Sequence, residues 1–354
     1  MMQPGIILDN ALMIQIMLER LKSSTADTRE LVSDIRAVVA SALSGYSGSV
    51  SSVGRAKSMA VALRKALKPV LAGHSEKLLD DIINAAVVMA DAEYHGFNSL
   101  AKNVNQADAD RVRRDVQNIP LSLPGWSSSL FLAKFIESWA DTAVQQVENQ
   151  AVISLSSGGS VADLQSAING TSADPLIIAA AVVGRVARGF QTVAKTTLQH
   201  AHSVASTDFY KENPDLIKYE EFSAILDNKT SAVCRSLSGN RYPLGEGPRP
   251  PLHPNCRSRL LPVLDEKYAD LFVTEPVGNS EWGEETYYEW LYRQPANRQN
   301  IVLGKTRAQL FRDGGLSPER FAKLQLDKYF KPMTLKELQK IIPDAFRKAD
   351  IELK

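Results

Sequence analysis

Apolar residues recur at helical spacing through the first part of the chain, and the elements they predict follow one another with short polar breaks. Asp9 caps a first helix with Leu12, Ile16 and Leu18 spaced for one face. Asp27 and Glu30 form a capping-box pattern that opens a second helix through Leu31, Ile35 and Val38. The serine-rich "SGYSGSVSS" ends it. Two further amphipathic stretches run from about Val53 to Leu71 and from about Ser75 to Leu100, the latter carrying Leu78, Ile82, Ala86 and Met89 in phase. Four helices with short breaks predict a bundle. A Pro/Ser-rich loop containing "IPLSLPGW" precedes a helix over about Ser129 to Leu155, which "SLSSGGS" breaks. Asp174 as N-cap and Pro175 at the first helical position then start the longest helix, about 35 residues to Asn213-Pro214 and about 50 Å if continuous. Gly184 and Gly189 permit a bend in it.

Near residue 215 the pattern changes. Tyr219, Phe222, Ala224 and Leu226 lead into a polar turn, and Arg241 to Leu244 follow Ser-Gly-Asn, which predicts a small antiparallel sheet. Beyond it lie a Trp/Tyr-rich helix in "SEWGEETYYEWLYRQP" and two capped helices starting at Ser317-Pro318 and at Thr334, where Glu337 completes a capping box. The fold class is therefore α+β and mostly α. A helical domain over 1–215 ends in the long helix, a small α+β module spans 216–278, and a helical tail spans 279–354.

Composition bounds what such a molecule does. The chain has 354 residues, 44% of them hydrophobic and 23% charged, so more than one core is affordable and no staple is required. The balance of 41 basic against 40 acidic side chains argues against a generic nucleic-acid coat and leaves only local basic patches. No charged-then-apolar leader opens the sequence, and the longest apolar run, Leu176 to Val183, is far short of the roughly 20 residues that span a bilayer. The protein is expected to fold in the cytosol, without membrane insertion.

Candidate chemistry concentrates in "PRPPLHPNCRSRLLP", residues 248–262. His253 and Cys256 sit in a proline-braced turn, and the only other cysteine, Cys234, lies upstream. Thiolate sulfur and imidazole nitrogen are good zinc ligands, so Cys234, His253 and Cys256 form a candidate structural zinc site. Asp227 is the nearest oxygen donor for a fourth position, and His200 or His202 reach it only through the tertiary fold. Two other readings stay open. The cysteines can be small buried side chains with His253 bonded to its own turn, or they can pair as a disulfide in an oxidising setting. A nucleophilic Cys256 with His253 as base is disfavoured, because useful pairs meet from separate elements. "GNRYPLGEG" lacks the Lys and Ser/Thr of a phosphate-binding loop and reads as a hairpin turn.

The stretch "LDNKTSAVCRSLSGNRYPLGEGPRPPLHPNCRSRLLPV" resembles the signature of the phage Mu protein F-like family of minor head and head-morphogenesis proteins. Asp227, Thr230, Ser231, Cys234, Leu237, Gly239 and Tyr242 stand where that family's pattern has them, followed by Pro250 through Arg257. "YYEWLYRQPANRQNIVLGKTRAQLFRDGGLS" is similar to the family's tail, so the resemblance extends over about Ala194 to Lys354. Two departures stand out. Lys195-Thr196-Thr197 occupies the place of a common Arg-Thr-Glu, and Ser258 replaces the second cysteine of the usual Cys-Arg-Cys.

The resemblance implies a minor capsid protein of a tailed bacteriophage, present in several copies inside the head near the portal vertex. Its partners would be the portal, other head proteins and packaged DNA, and its roles head assembly, DNA packaging or genome ejection without enzymatic activity. Trp282, Tyr288 and Trp290 are of types favoured at interface hot spots, or else belong to a core. Arg257 and Arg259, and Arg111, Arg113 and Arg114 in "DADRVRRDV", are candidate phosphate contacts. The alternative is a metal-dependent hydrolase or nuclease built on the Cys/His cluster, in which one metal position stays open to water.

Overall fold

The computed structural model describes residues 27–49, 52–99, 101–123, 129–156, 158–170, 181–268 and 285–353. The helix expected after Asp9, the Asp174-Pro175 start and Trp282 lie outside them. Helix α1 covers 27–43. The two stretches read as separate helices are one, α2 (Val53–Asn98), about 69 Å long at 1.5 Å per residue. The reason is phase. Met59, Leu63, Leu67 and Leu71 are followed in step by Leu78, Ile82, Ala86 and Met89, so one buried stripe crosses Pro69 and Gly73 without changing face. At the join, the Ser75 hydroxyl donates to the Leu71 carbonyl at 2.9 Å, and His74 Nε2 meets Asp34 Oδ2 of α1 at 2.9 Å. A tertiary partner thus holds the place where local propensity is weakest.

Two short helices escaped the periodicity reading. In α3 (Ala109–Asn118), capped by Asp108, only Val112 and Val116 are buried, and in α5 (Val161–Asn169) Ser160 and Asp163 close a capping box. Between these two lies α4 (Leu132–Ser156). Helix α6 (Val182–Glu212) runs unbroken to Asn213. Gly189 does not bend it. A Cβ there would sit 3.0 Å from the Trp139 ring of α4, so the glycine is a notch that admits the indole, whose Nε1 donates to Val186 O at 3.2 Å. Helices α2, α4 and α6 pack along one another around one large core.

Strand β1 (Ile217–Ser223) is central in a three-stranded antiparallel sheet, with β2 (Arg241–Pro243) on one side and β3 (Arg259–Leu264) on the other. Phe222 lies opposite Leu260. Helix α7 (Ala232–Leu237) follows β1, and a second core forms there from Phe222, Leu237, Leu252, Leu260 and both cysteines. The tail comprises α8 (Tyr287–Tyr292), α9 (Ala296–Leu303), α10 (Lys305–Asp313), α11 (Pro318–Lys323), α12 (Leu335–Ile341) and α13 (Pro343–Lys348). The expected caps at Ser317 and Thr334 are formed, the latter as a capping box with Glu337. Tyr288, Phe311 and Phe321 make the centre of a third core, with Phe311 and Phe321 centroids 4.6 Å apart.

Helix α6 is unusual in burying polar residues along with apolar ones. His200 Nε2–H donates to the Val116 carbonyl at 3.3 Å, and burial lowers its pKa to about 4. Burial, with Arg259 nearby, lowers that of His202 to about 3. Both rings are therefore folded in as neutral imidazoles. Their contribution to stability is complete above the unfolded pKa near 6.5 and is lost as pH falls toward these depressed values. Asp208 on the same helix works against them, since burial raises its carboxyl to about 6. Replacing His202 by Asn isolates one group. Urea unfolding followed from pH 6 to pH 4 should give wild-type and His202→Asn stabilities whose slopes differ by close to one proton, about 1.4 kcal/mol per pH unit. Parallel curves would contradict the neutral buried ring.

Candidate metal centre and basic groove

The site is assembled from two short pieces of backbone. Ser231 caps α7 by accepting from Cys234 N at 3.2 Å, which fixes Cys234 in the first turn. On the other side, His253-Pro254-Asn255-Cys256 is a tight turn in which Cys256 N donates to His253 O at 3.1 Å. Asn255 has φ of 57°, so a proline at the second position and a left-handed asparagine at the third give the pattern of a type II turn. That geometry turns His253 and Cys256 to the same side. His253 Nε2 lies 3.3 Å from Cys234 Sγ, and the two sulfurs are 3.7 Å apart. All three candidate ligand atoms fall within 4.8 Å of one another. The sulfurs are not bonded, and both cysteines are free and buried.

The cluster shares charge. Its contact with Cys256 pushes the Cys234 thiol up, whereas Cys256, accepting from Cys234 and then from His253, is held down. The same Cys256 contact raises His253. The three groups stand close enough together to titrate as one unit. Buried sulfurs suit ligation better than attack on a substrate.

Asp227 is not part of this cluster. Its carboxylate takes both Arg257 Nη atoms at 2.8 Å and accepts from the backbone of Lys229 and Thr230 at 2.9 and 3.0 Å. Burial opposes its ionisation, yet Arg257 and these donors hold it below the usual carboxylate range. The residue expected to complete a metal site instead ties the 227–230 turn to the strand-entering arginine. His200 and His202 are likewise outside the cluster among the described residues.

The remaining candidates divide by burial. Arg259 is only 5% exposed in β3, opposite Ser223, so it does not offer a surface charge to phosphate. A strand covered by α6 on one face and the small core on the other leaves it no route to solvent. Arg111 pairs with Glu212 and donates to Asp208 O at 3.0 Å, which commits it to bracing α3 against α6. Tyr288 is 1% exposed and packs on Phe311 and Phe321, so it belongs to the tail core. Trp290 is half-buried against Tyr287. Arg257 stays exposed.

Other functional residues emerge only from the fold. Arg249, within "GPRPP", reaches Glu220 with both Nη atoms and also bonds Thr207 of α6. Glu220 is fully buried, in step with Phe222 on the core side of β1, and that period-two position was the available signal. Along α6, Thr196 Oγ1 accepts from Asn255 N at 3.0 Å, Gln199 donates to Ser258 O at 2.9 Å, and Tyr210 donates to Leu260 O at 3.4 Å. Beside this seam runs a groove of about 680 Å³. Arg188, Lys195, Lys229 and Arg257 line it together with His253 and Cys256, and no carboxylate does among the described residues.

Residues 145–261 match the sequence profile of the family described as phage Mu protein F like protein. This segment is Mu F-like. It runs from the second half of α4 through the sheet to Leu261 of β3, and so takes in α6, both cysteines and the His253 turn. It begins earlier than the signature residues do and stops before the tail, whose likeness to the family rests on the sequence pattern alone. The family points to phage head morphogenesis, and with it to other head proteins as neighbours and to the virion as destination. No curated protein and no solved structure matches the chain. No described helix is long and apolar enough to cross a membrane.

The Arg249–Glu220 pair should carry more of the module's stability than its exposed neighbour does. Removing one partner of a buried pair strands the other, so Arg249→Met is expected to cost about 3–5 kcal/mol in urea unfolding. Arg241→Met, which breaks the outer pair with Glu221, should cost under about 1 kcal/mol. Equal losses would show that Glu220 is not the buried anchor.

Proposed function

We propose that this protein is a minor capsid protein of a tailed bacteriophage that acts, without catalysing a reaction, in head assembly and in packaging or ejection of the genome. It docks at the portal inside the head through its helical body and holds the basic groove toward packaged DNA. The observation that carries this reading is the Mu F-like match over residues 145–261, which coincides with the part of the chain that braces the sheet on α6. Two further features support it. The signature residues Asp227, Ser231 and Arg257 are spent on a turn, a cap and an ion pair, which is the use a scaffold makes of them. The groove carries Lys195 and Lys229, cations of the kind that a surface following a phosphate backbone requires.

A second reading rests on one observation, that His253 and Cys256 open onto that same groove, where a metal-bound water would meet a phosphodiester. The two readings separate on activity. Purified protein with divalent metal should leave DNA intact, and cleavage abolished by His253→Ala would favour the nuclease.

The assembly reading is tested by isolating heads with and without the protein and following it with the portal ring. It should co-purify with the ring in several copies, and its absence from finished heads would sink the proposal. For the groove, DNA affinity should fall steeply with salt. In a Lys195→Ala, Lys229→Ala double variant the slope of log K against log salt should shrink by about 2, since each duplex phosphate contact contributes about 0.9. An unchanged slope would remove the groove from the DNA contact.

A further inference from the structure

The geometry points to a zinc ion held by Cys234, His253 and Cys256, with Ser258 beside its fourth position. Zinc–sulfur bonds of about 2.3 Å and zinc–nitrogen bonds of about 2.0–2.1 Å at tetrahedral angles place two thiolates about 3.8 Å apart and a thiolate about 3.6 Å from an imidazole nitrogen. The observed separations are 3.7 Å between the sulfurs and 3.3 Å from Cys234 Sγ to His253 Nε2. The ligand atoms therefore already stand near the edges of a zinc tetrahedron. A disulfide, by contrast, requires about 2.05 Å.

The surroundings fit the same ion. His253 Nδ1–H donates to the Pro254 carbonyl at 2.9 Å, which leaves the Nε2 lone pair directed at the cluster. A ligating histidine is oriented in just this way by its second nitrogen. Two sulfurs and an imidazole favour zinc over calcium or magnesium, which seek oxygen. Both sulfurs are shielded from solvent while His253 and Cys256 border the groove, so an ion has a path inward.

Ser258 decides the character of the site. It is 2% exposed, and its hydroxyl lies close enough to the Cys234 sulfur to favour the thiolate there, so its side chain borders the cluster. A hydroxyl is a far poorer zinc ligand than a thiolate. The fourth position is then left to water, and the affinity is lower than four protein ligands would give. Ser258→Cys supplies a third thiolate at that place and converts an open centre into a closed one. The zinc site is independent of where the protein docks, so its failure would leave the head role untouched.

Cobalt(II) reads this directly, because Cys234 and Cys256 are the only thiols in the chain. The full-length protein, reduced, stripped with chelator and titrated with cobalt(II), should develop a thiolate-to-cobalt charge-transfer band at one ion per chain, and zinc(II) should bleach it. Cys234→Ser and Cys256→Ser should weaken the band and lower the affinity at least tenfold. Ser258→Cys should bind at least tenfold more tightly than wild type and intensify the band. These variants are compared by far-ultraviolet circular dichroism. Should one of the serine variants unfold, the wild-type and Ser258→Cys titrations still decide the outcome. A folded wild-type protein with no charge-transfer band at saturating cobalt would overturn the metal site, and an unchanged affinity in folded Ser258→Cys would overturn the place given to Ser258.

Discussion

The polar face of helix α6 constrains everything around it. A helix buried on nearly all sides must either be apolar or find a partner for each polar group it hides, because an unmet buried group costs about 1–3 kcal/mol. Here the partners come from the proline-rich stretch that follows β2. Thr196 takes the Asn255 amide, Gln199 takes the Ser258 carbonyl, and Tyr210 takes that of Leu260. Thr207 shares Arg249 with Glu220. The relation is mutual, since a segment with prolines at 248, 250, 251 and 254 has few amides of its own to build regular structure. It takes its shape from the helix, and the helix in turn finds partners there for Thr196, Gln199, Thr207 and Tyr210, although both ring nitrogens of His202 and the Ser203 hydroxyl stay without a hydrogen bond.

That shape makes the Cys/His cluster. With Asn255 seated on α6, the turn from His253 to Cys256 can face only toward α7, where the Ser231 cap has already fixed Cys234. Asp227 closes the arrangement from outside by gripping Arg257, the residue immediately after Cys256. The tail is tied into the same frame. Tyr287 OH donates to Asp227 O at 2.6 Å, and Arg235 of α7 donates to Val302 O at 2.9 Å while lying over the Tyr287 ring. Ser231, Asn255, Asp227 and Arg257 thus act, one after another, as anchors of the loop.

Legibility in the sequence followed the range of the interaction. Caps and turns are set within a few residues, and Ser317, Thr334 with Glu337, and the break after α4 were readable because their physics is local. The cluster of Cys234, His253 and Cys256 was readable for a different reason, as these residue types are rare in the chain and stand close in sequence. What needed the tertiary fold was hidden. Gly73 looked like a helix boundary until the Asp34 contact and the phase of the buried stripe were seen. The buried strand β3 reads "RLLPVL" and carries no alternation, and an arginine at its start points to a surface. Glu220 and Arg249 lie 29 residues apart, so neither announces the other. Asp227 invites a ligand reading because it is a carboxylate near cysteines, whereas its partner is Arg257, 30 residues away and itself a candidate phosphate contact.

The loop has two faces, and charge bookkeeping shows that their tasks are separable. On its inner face, zinc with two thiolates and a neutral imidazole would sum to zero. Filling the cluster would therefore add no net charge beside the groove, whose field comes chiefly from Lys195 and Lys229. Ion binding would act on the groove through rigidity alone, by locking α7 to the turn that carries His253. A loop built this way sets the groove lysines on its outer face apart from the Cys/His chemistry on its inner one, as the proposed assembly role requires.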